Sequence, residues 1–86
     1  MKHFDLEIVT PESNIFSGLV ESVSVPGSQG SFQVLFNHAP IIATLGKGKV
    51  KVVTESGENL TFNAEGGVVE VMNNKTNILV ERLIEA

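Results

Sequence analysis

Cysteine is absent from this chain, and so are tryptophan and tyrosine. Without thiols there is neither a disulfide framework nor a thiolate metal site, which fits a reducing compartment. The two histidines, His3 and His38, are not at metal-ligand spacing, and no Asp or Glu lies within five positions of His38. Sugar-binding surfaces usually offer exposed aromatic platforms, and here five phenylalanines are the whole aromatic complement. Basic residues are scarce, six against ten acidic, for a net charge of −4 that argues against nucleic acid as a partner. No segment approaches the roughly 20 apolar residues needed to cross a bilayer, so direct membrane insertion is not expected. Met1–Thr10 carries Asp5 and Glu7 and has no continuous apolar core, so it does not read as a signal peptide. The sequons at Asn59 and Asn74 are accordingly expected to stay unmodified.

With 86 residues there is room for one domain, residues 1–86, and little volume for an enclosed active site. What the chain does contain is short apolar alternation broken by turn residues. Phe4, Leu6 and Ile8 alternate with Asp5 and Glu7 up to a turn at Thr10-Pro11-Glu12. Ile15-Phe16 reads as a very short strand ended by Gly18. Val20 is out of phase with Val23 and Val25, which predicts a bulge near Glu21. Gly27 and Gly30 bracket Ser28 and Gln29 in a tight turn that positive φ values would close. Phe32, Val34 and Phe36 read as one strand, left at the His38-Ala39-Pro40 corner because Pro40 fixes its own φ and extends the residue before it. Ile41–Leu45 is apolar at nearly every position and is expected deep inside. Gly46-Lys47-Gly48 and Gly66-Gly67 read as turns, Glu55–Glu58 and Asn73–Lys75 as hairpin turns. No helical periodicity exceeds two turns. The pattern predicts an all-β domain, a flattened antiparallel β-sandwich of about ten short strands in two sheets.

Chemistry is sparse. Gly27–Gly30 is followed by no lysine and no helix N-terminus, and Gly46-Lys47-Gly48-Lys49 lacks the spacing of a phosphate loop. Lys47, Lys49 and Lys51 share a face at period two, which suits either a charged guard against edge pairing or contact with an acidic partner. The nearest carboxylate pairs, Glu55 with Glu58 and Glu81 with Glu85, sit in a turn or at the terminus. No nucleophile, base and orienting group converge, so catalytic residues are expected to be absent and an enzyme is not indicated.

Phe16-Ser17-Gly18-Leu19-Val20, Val25-Pro26-Gly27-Ser28-Gln29-Gly30, Asn37-His38-Ala39-Pro40 with Ile41-Ile42, and Gly66-Gly67-Val68-Val69-Glu70-Val71, in that order, resemble the N-terminal β-sandwich domain of the epsilon subunit of rotary F-type ATP synthases. The resemblance covers about Phe4 to Glu81. It implies a non-catalytic subunit of the central stalk, without cofactor or metal, that joins the gamma subunit to the membrane rotor ring of c subunits so that proton-driven rotation reaches distant nucleotide sites. It also implies a peripheral location on the cytoplasmic face of a bacterial inner membrane. By the same resemblance Gly27, Ser28, Gln29, Gly30 and Ser31 face the rotor ring, whereas Thr10, Phe36, His38, Ala39 and Pro40 face gamma. Family members often carry acidic residues where this chain has Gln29 and Ser31, so shape and hydrogen bonds are expected to replace an ion pair there. Many also have Gly and Pro where Gln33 and Phe36 stand, which makes an exposed Phe36 a candidate anchor. Members commonly continue into an inhibitory helical hairpin. A chain ending at Ala86 is expected to couple rotation without that brake or its ATP site. A free-standing sandwich that binds a peptide or carbohydrate through its loops is the alternative.

Overall fold

The computed structural model describes residues 2–84. It contains six strands: β1 (Phe4–Val9), β2 (Asn14–Val25), β3 (Phe32–Val34), β4 (Ile41–Thr54), β5 (Asn59–Met72) and β6 (Lys75–Leu83). They are hydrogen-bonded in the order β1-β6-β5-β4-β2-β3, and β1 also pairs with β2. That extra pairing closes a ring of five strands, so the body is a flattened, barrel-like sandwich with β3 added outside the ring. All neighbours are antiparallel except β1 and β6, which run parallel from Asp5↔Lys75 to Val9↔Leu79.

The all-β sandwich is as the alternation predicts, but its strands are fewer and longer. Gly18 does not end a strand: β2 runs through it, pairing with β1 from Val20 down to Asn14 and with β3 and β4 through its other half. The expected irregularity near Glu21 is present, as a register shift between Val20 and Ser22 where β2 changes partners. Nor do Gly46-Lys47-Gly48 and Gly66-Gly67 make turns. They lie inside one continuous β4–β5 ribbon, where Gly46 and Gly66 fall between the pairs Leu45↔Gly67 and Lys47↔Glu65 and Gly48 stands opposite Ala64.

At that line the ribbon exchanges its faces. Leu45 points into the core before the line and Val50, Val52 and Thr54 after it, so the buried set moves from odd to even numbers. On β5 Ala64 is buried before the line and Val69 and Val71 beyond it. Only glycine fits there, because Gly66 and Gly67 have φ of +74° and +135° and a Cβ on Gly67 would run into the carbonyl oxygen of Leu79.

The two hairpin turns are where the sequence puts them. Gly57 (φ +89°) donates its N–H to the Thr54 carbonyl, 2.9 Å, and the Thr54 hydroxyl accepts the N–H of Glu58, 3.1 Å. Asn73 and Asn74, with φ of +49° and +59°, form the two-residue turn between β5 and β6 that positive φ at both central positions favours. Between the layers lie Phe4, Leu6, Ile8, Val20, Val23, Val25, Val34, Leu45, Val50, Val52, Ala64, Val69, Val71, Ile78 and Val80. Each fully buried aliphatic side chain among them contributes about 1.5–3 kcal/mol relative to exposure.

Candidate docking surfaces

The segment Pro26–Ser31 is tied to β4 rather than free. The Ser28 N–H donates to the Thr44 carbonyl (2.9 Å), the Gly46 N–H donates to the Pro26 carbonyl (2.7 Å), and the Ser28 and Thr44 hydroxyls bond each other. Gly30 has the positive φ expected of it, +130°. Gly27 is needed for a different reason, since a Cβ there would sit 2.6 Å from the Gly30 carbonyl oxygen. Ser28, Gln29, Gly30 and Ser31 are exposed, and with Phe32 and Ile41–Thr44 the turn walls an open groove. The five residues are therefore a preformed, uncharged knob.

The strand of Phe32 and Val34 stops short of Phe36. Phe36 and Asn37 form a turn closed by the His38 N–H to the Leu35 carbonyl (3.1 Å), with Asn37 at φ +65°. Phe36 is half-buried and Lys2 Nζ stands 5.5 Å from its ring centroid, a cation–π distance. A reciprocal amide pair anchors the corner: Asn37 N–H donates to Asn74 Oδ1 (2.6 Å) and Asn74 Nδ2 donates to Asn37 Oδ1 (3.0 Å). His38 Nδ1–H donates to the Ala39 carbonyl (2.6 Å), which leaves Nε2 as an acceptor for a partner. Ala39 and Pro40 are exposed. The Asn74 sequon is thus engaged, and its Thr76 is fully buried.

Thr10 is not part of that corner. It closes the β1–β2 turn, donating its N–H to the Ser13 carbonyl (2.8 Å), while Asn74, which holds the corner, accepts the N–H of Asp5. Asp5 and Thr10 are five strand residues apart, about 16 Å along β1. One partner would have to span that length to touch both.

A surface that alternation alone does not reveal lies on the outer sheet face. Ile41–Leu45 is not enclosed, because Ile42 is 73% exposed. Aligned registers place Thr44, Val68, Leu79 and Val9 in one row across β4, β5, β6 and β1. The next row is Ile42, Glu70, Asn77 and Glu7. Val68 and Leu79 are exposed, and Glu7, Val9, Val68, Glu70, Asn77 and Leu79 line an open depression there. Four strands wide, this is an apolar stripe bordered by carboxylates. Its signal in the sequence is only the odd exposed aliphatic on each strand, which becomes a patch once the register is known.

Lys47, Lys49 and Lys51 are exposed on β4. Lys51 is paired with both β5 and β2 and so guards no edge, whereas Lys47 and Lys49 are paired with β5 alone. Among the described residues no group of three His, Cys, Asp or Glu side chains is placed to hold a metal ion, and no helix is long and apolar enough to cross a membrane.

Residues 3–86 match the ATP synthase, Delta/Epsilon chain, beta-sandwich domain family. This chain belongs to the delta/epsilon family of ATP synthase subunits. Its relatives include the ATP synthase epsilon chain of Chlorobaculum tepidum, 45% identical over 95% of this chain and 93% of the relative. Its fold is also that of a chain in the mitochondrial ATP synthase of Euglena gracilis, solved as OSCP, F1 and c-ring, with a TM-score of 0.88 at 19% identity over 95% of this chain and 52% of that one. A chain in the central stalk and c-ring of the Tetrahymena thermophila enzyme matches with a TM-score of 0.76 at 19% identity, over 94% of this chain and 65% of that one. The delta/epsilon sandwich thus accounts for residues 3–86 of this chain.

Proposed function

We propose that this chain couples the gamma subunit to the rotor ring in the central stalk of an F-type ATP synthase, transmitting rotation without chemistry of its own. The observation that carries the reading is the match of residues 3–86 to the delta/epsilon sandwich family, at 45% identity to a named epsilon chain of similar length. The chain is a stalk subunit of an F-type ATP synthase. The uncharged knob Gly27, Ser28, Gln29, Gly30 and Ser31 meets the ring, where its fixed shape and free hydroxyl and amide groups replace ion pairs. The corner of Phe36, His38, Ala39 and Pro40 meets gamma, continued by the Ile42, Val68 and Leu79 stripe. Thr10 meets gamma at a second point along β1. The body works peripherally, on the cytoplasmic face of a bacterial inner membrane.

The test is co-purification of the tagged chain with its partners from solubilised membranes. A long coiled-coil chain and a very apolar ring subunit are expected to come with it. Replacing Phe36 and His38 together by Ala should leave the circular dichroism and unfolding midpoint nearly unchanged and weaken binding to the coiled-coil chain about tenfold or more, as two interface contacts of about 1 kcal/mol each would. Unchanged affinity would remove the corner from the interface. Retention on a glycan array with no stalk partner would replace the whole reading by that of a free-standing module.

A further inference from the structure

Half of the basic residues in a chain of net charge −4 stand in one row, Lys47, Lys49 and Lys51, on the outward face of β4. Successive lysines are two strand residues apart, about 6.6 Å. Their cross-strand neighbours are Asn63 and Thr61 on β5, Ser24 on β2 beyond Lys51, and Glu65 opposite Lys47. Glu65 is already engaged, its Oε1 3.1 Å from Arg82 Nη2, and that is the one ion pair among the described residues. Among the described residues Lys47 therefore shares Glu65 with Arg82, while Lys49 and Lys51 stand opposite Asn63 and Thr61 rather than a carboxylate, and like charges in line repel. Packing does not account for these exposed side chains, and edge protection does not account for Lys51, which is paired on both sides, with Thr61 and with Ser24.

We propose that this row is a docking track for an acidic segment of another protein chain, with carboxylates recurring at the spacing of alternate residues of an extended strand or successive turns of a helix. A row one strand wide suits a linear partner. An anionic membrane surface would need a broad cationic area and would meet the field of a net-negative body instead. The track lies past the glycine line from Ile42 and Thr44, on the half of β4 whose outward face is the other side of the ribbon, so it is separate from the knob, the corner and the apolar stripe.

The test is zero-length crosslinking of the purified complex with a water-soluble carbodiimide. The reagent activates a carboxylate, the lysine amine attacks that carbon, and an amide forms as the carbodiimide leaves as its urea. Mass spectrometry is expected to find Lys47, Lys49 or Lys51 joined to Asp or Glu of another subunit, with yield falling several-fold in high salt. Replacing all three by Arg keeps the charge and should abolish those amides while the partner stays bound; replacing them by Gln should release it. Absence of such links, or links confined to Lys2 and Lys75, would overturn the proposal. So would lysine-dependent sedimentation with phosphatidylglycerol vesicles. Presence of the chain in the complex is scored separately, and its absence counts against the stalk reading. The same crosslinking on intact cells would then still decide whether the row meets an acidic protein.

Discussion

Gly67 and Gly57 both have positive φ, yet they are held for different reasons. A Cβ on Gly57 meets nothing within 4 Å, whereas one on Gly67 meets the backbone of Leu79 and Val80 on the neighbouring strand. Gly57→Ala is expected to cost about 1 kcal/mol from backbone strain alone, and Gly67→Ala about 3 kcal/mol or more, because strands must also move apart. Urea midpoints of the two variants measure the difference; equal losses would mean that the glycine line is not tightly packed. Thr76 gives a prediction of opposite sign. It is fully buried and its hydroxyl has no hydrogen-bond partner, so Thr76→Val should be neutral or stabilise by about 1 kcal/mol. A loss above about 1 kcal/mol would show that the hydroxyl is satisfied after all. These residues also mark what sequence reading could reach. Gly57 sits in the turn it announces. Gly66 and Gly67 announce the same thing, but their meaning depends on Leu79 and Glu81 across the sheet, which no local window contains.

At the scale of elements, the turns and the Glu21 irregularity were legible because each is set by its own few residues. Strand length was not. β2, β4 and β5 run through glycines because the residues on either side of each glycine are paired with a neighbouring strand, a non-local effect that outweighs local preference. The same cause hid the apolar stripe and pulled Phe36 out of its strand into a turn pinned by Asn74. The family resemblance pointed to the docking residues, but only register showed that Thr10 and the corner occupy different ends of β1. Unequal bridging has a measurable result. β3 has three residues and pairs with β2 alone, while β5 is bonded along both sides over its second half. Amides of Phe32–Val34 are expected to exchange with solvent by local opening, at least a hundredfold faster than those of Val69 and Val71, corresponding to about 3 kcal/mol or more. Uniform protection would mean that β3 opens only with the whole domain.

For the molecule as a whole, closure of the ring is the decisive feature. β6 bonds to β5 on one side and β1 on the other, so its removal would uncover Leu6, Ile8, Val69 and Val71 together. A chain ending after Asn74 is expected to show no cooperative thermal transition, whereas the intact chain should unfold in one step. A cooperative transition in the shortened chain would assign stability to the β4–β5 ribbon alone. That ribbon has a mechanical corollary. Its rungs extend from Ile41↔Val71, beside the knob, to Val53↔Asn59 at the Glu55–Glu58 turn. A pull along its length loads all those rungs in parallel, as shear, and none can be peeled away singly. A force along the ribbon is thus resisted by every rung at once, whereas a force that prises Ile41 and Val71 apart meets them one at a time, from that open end toward the Glu55–Glu58 turn.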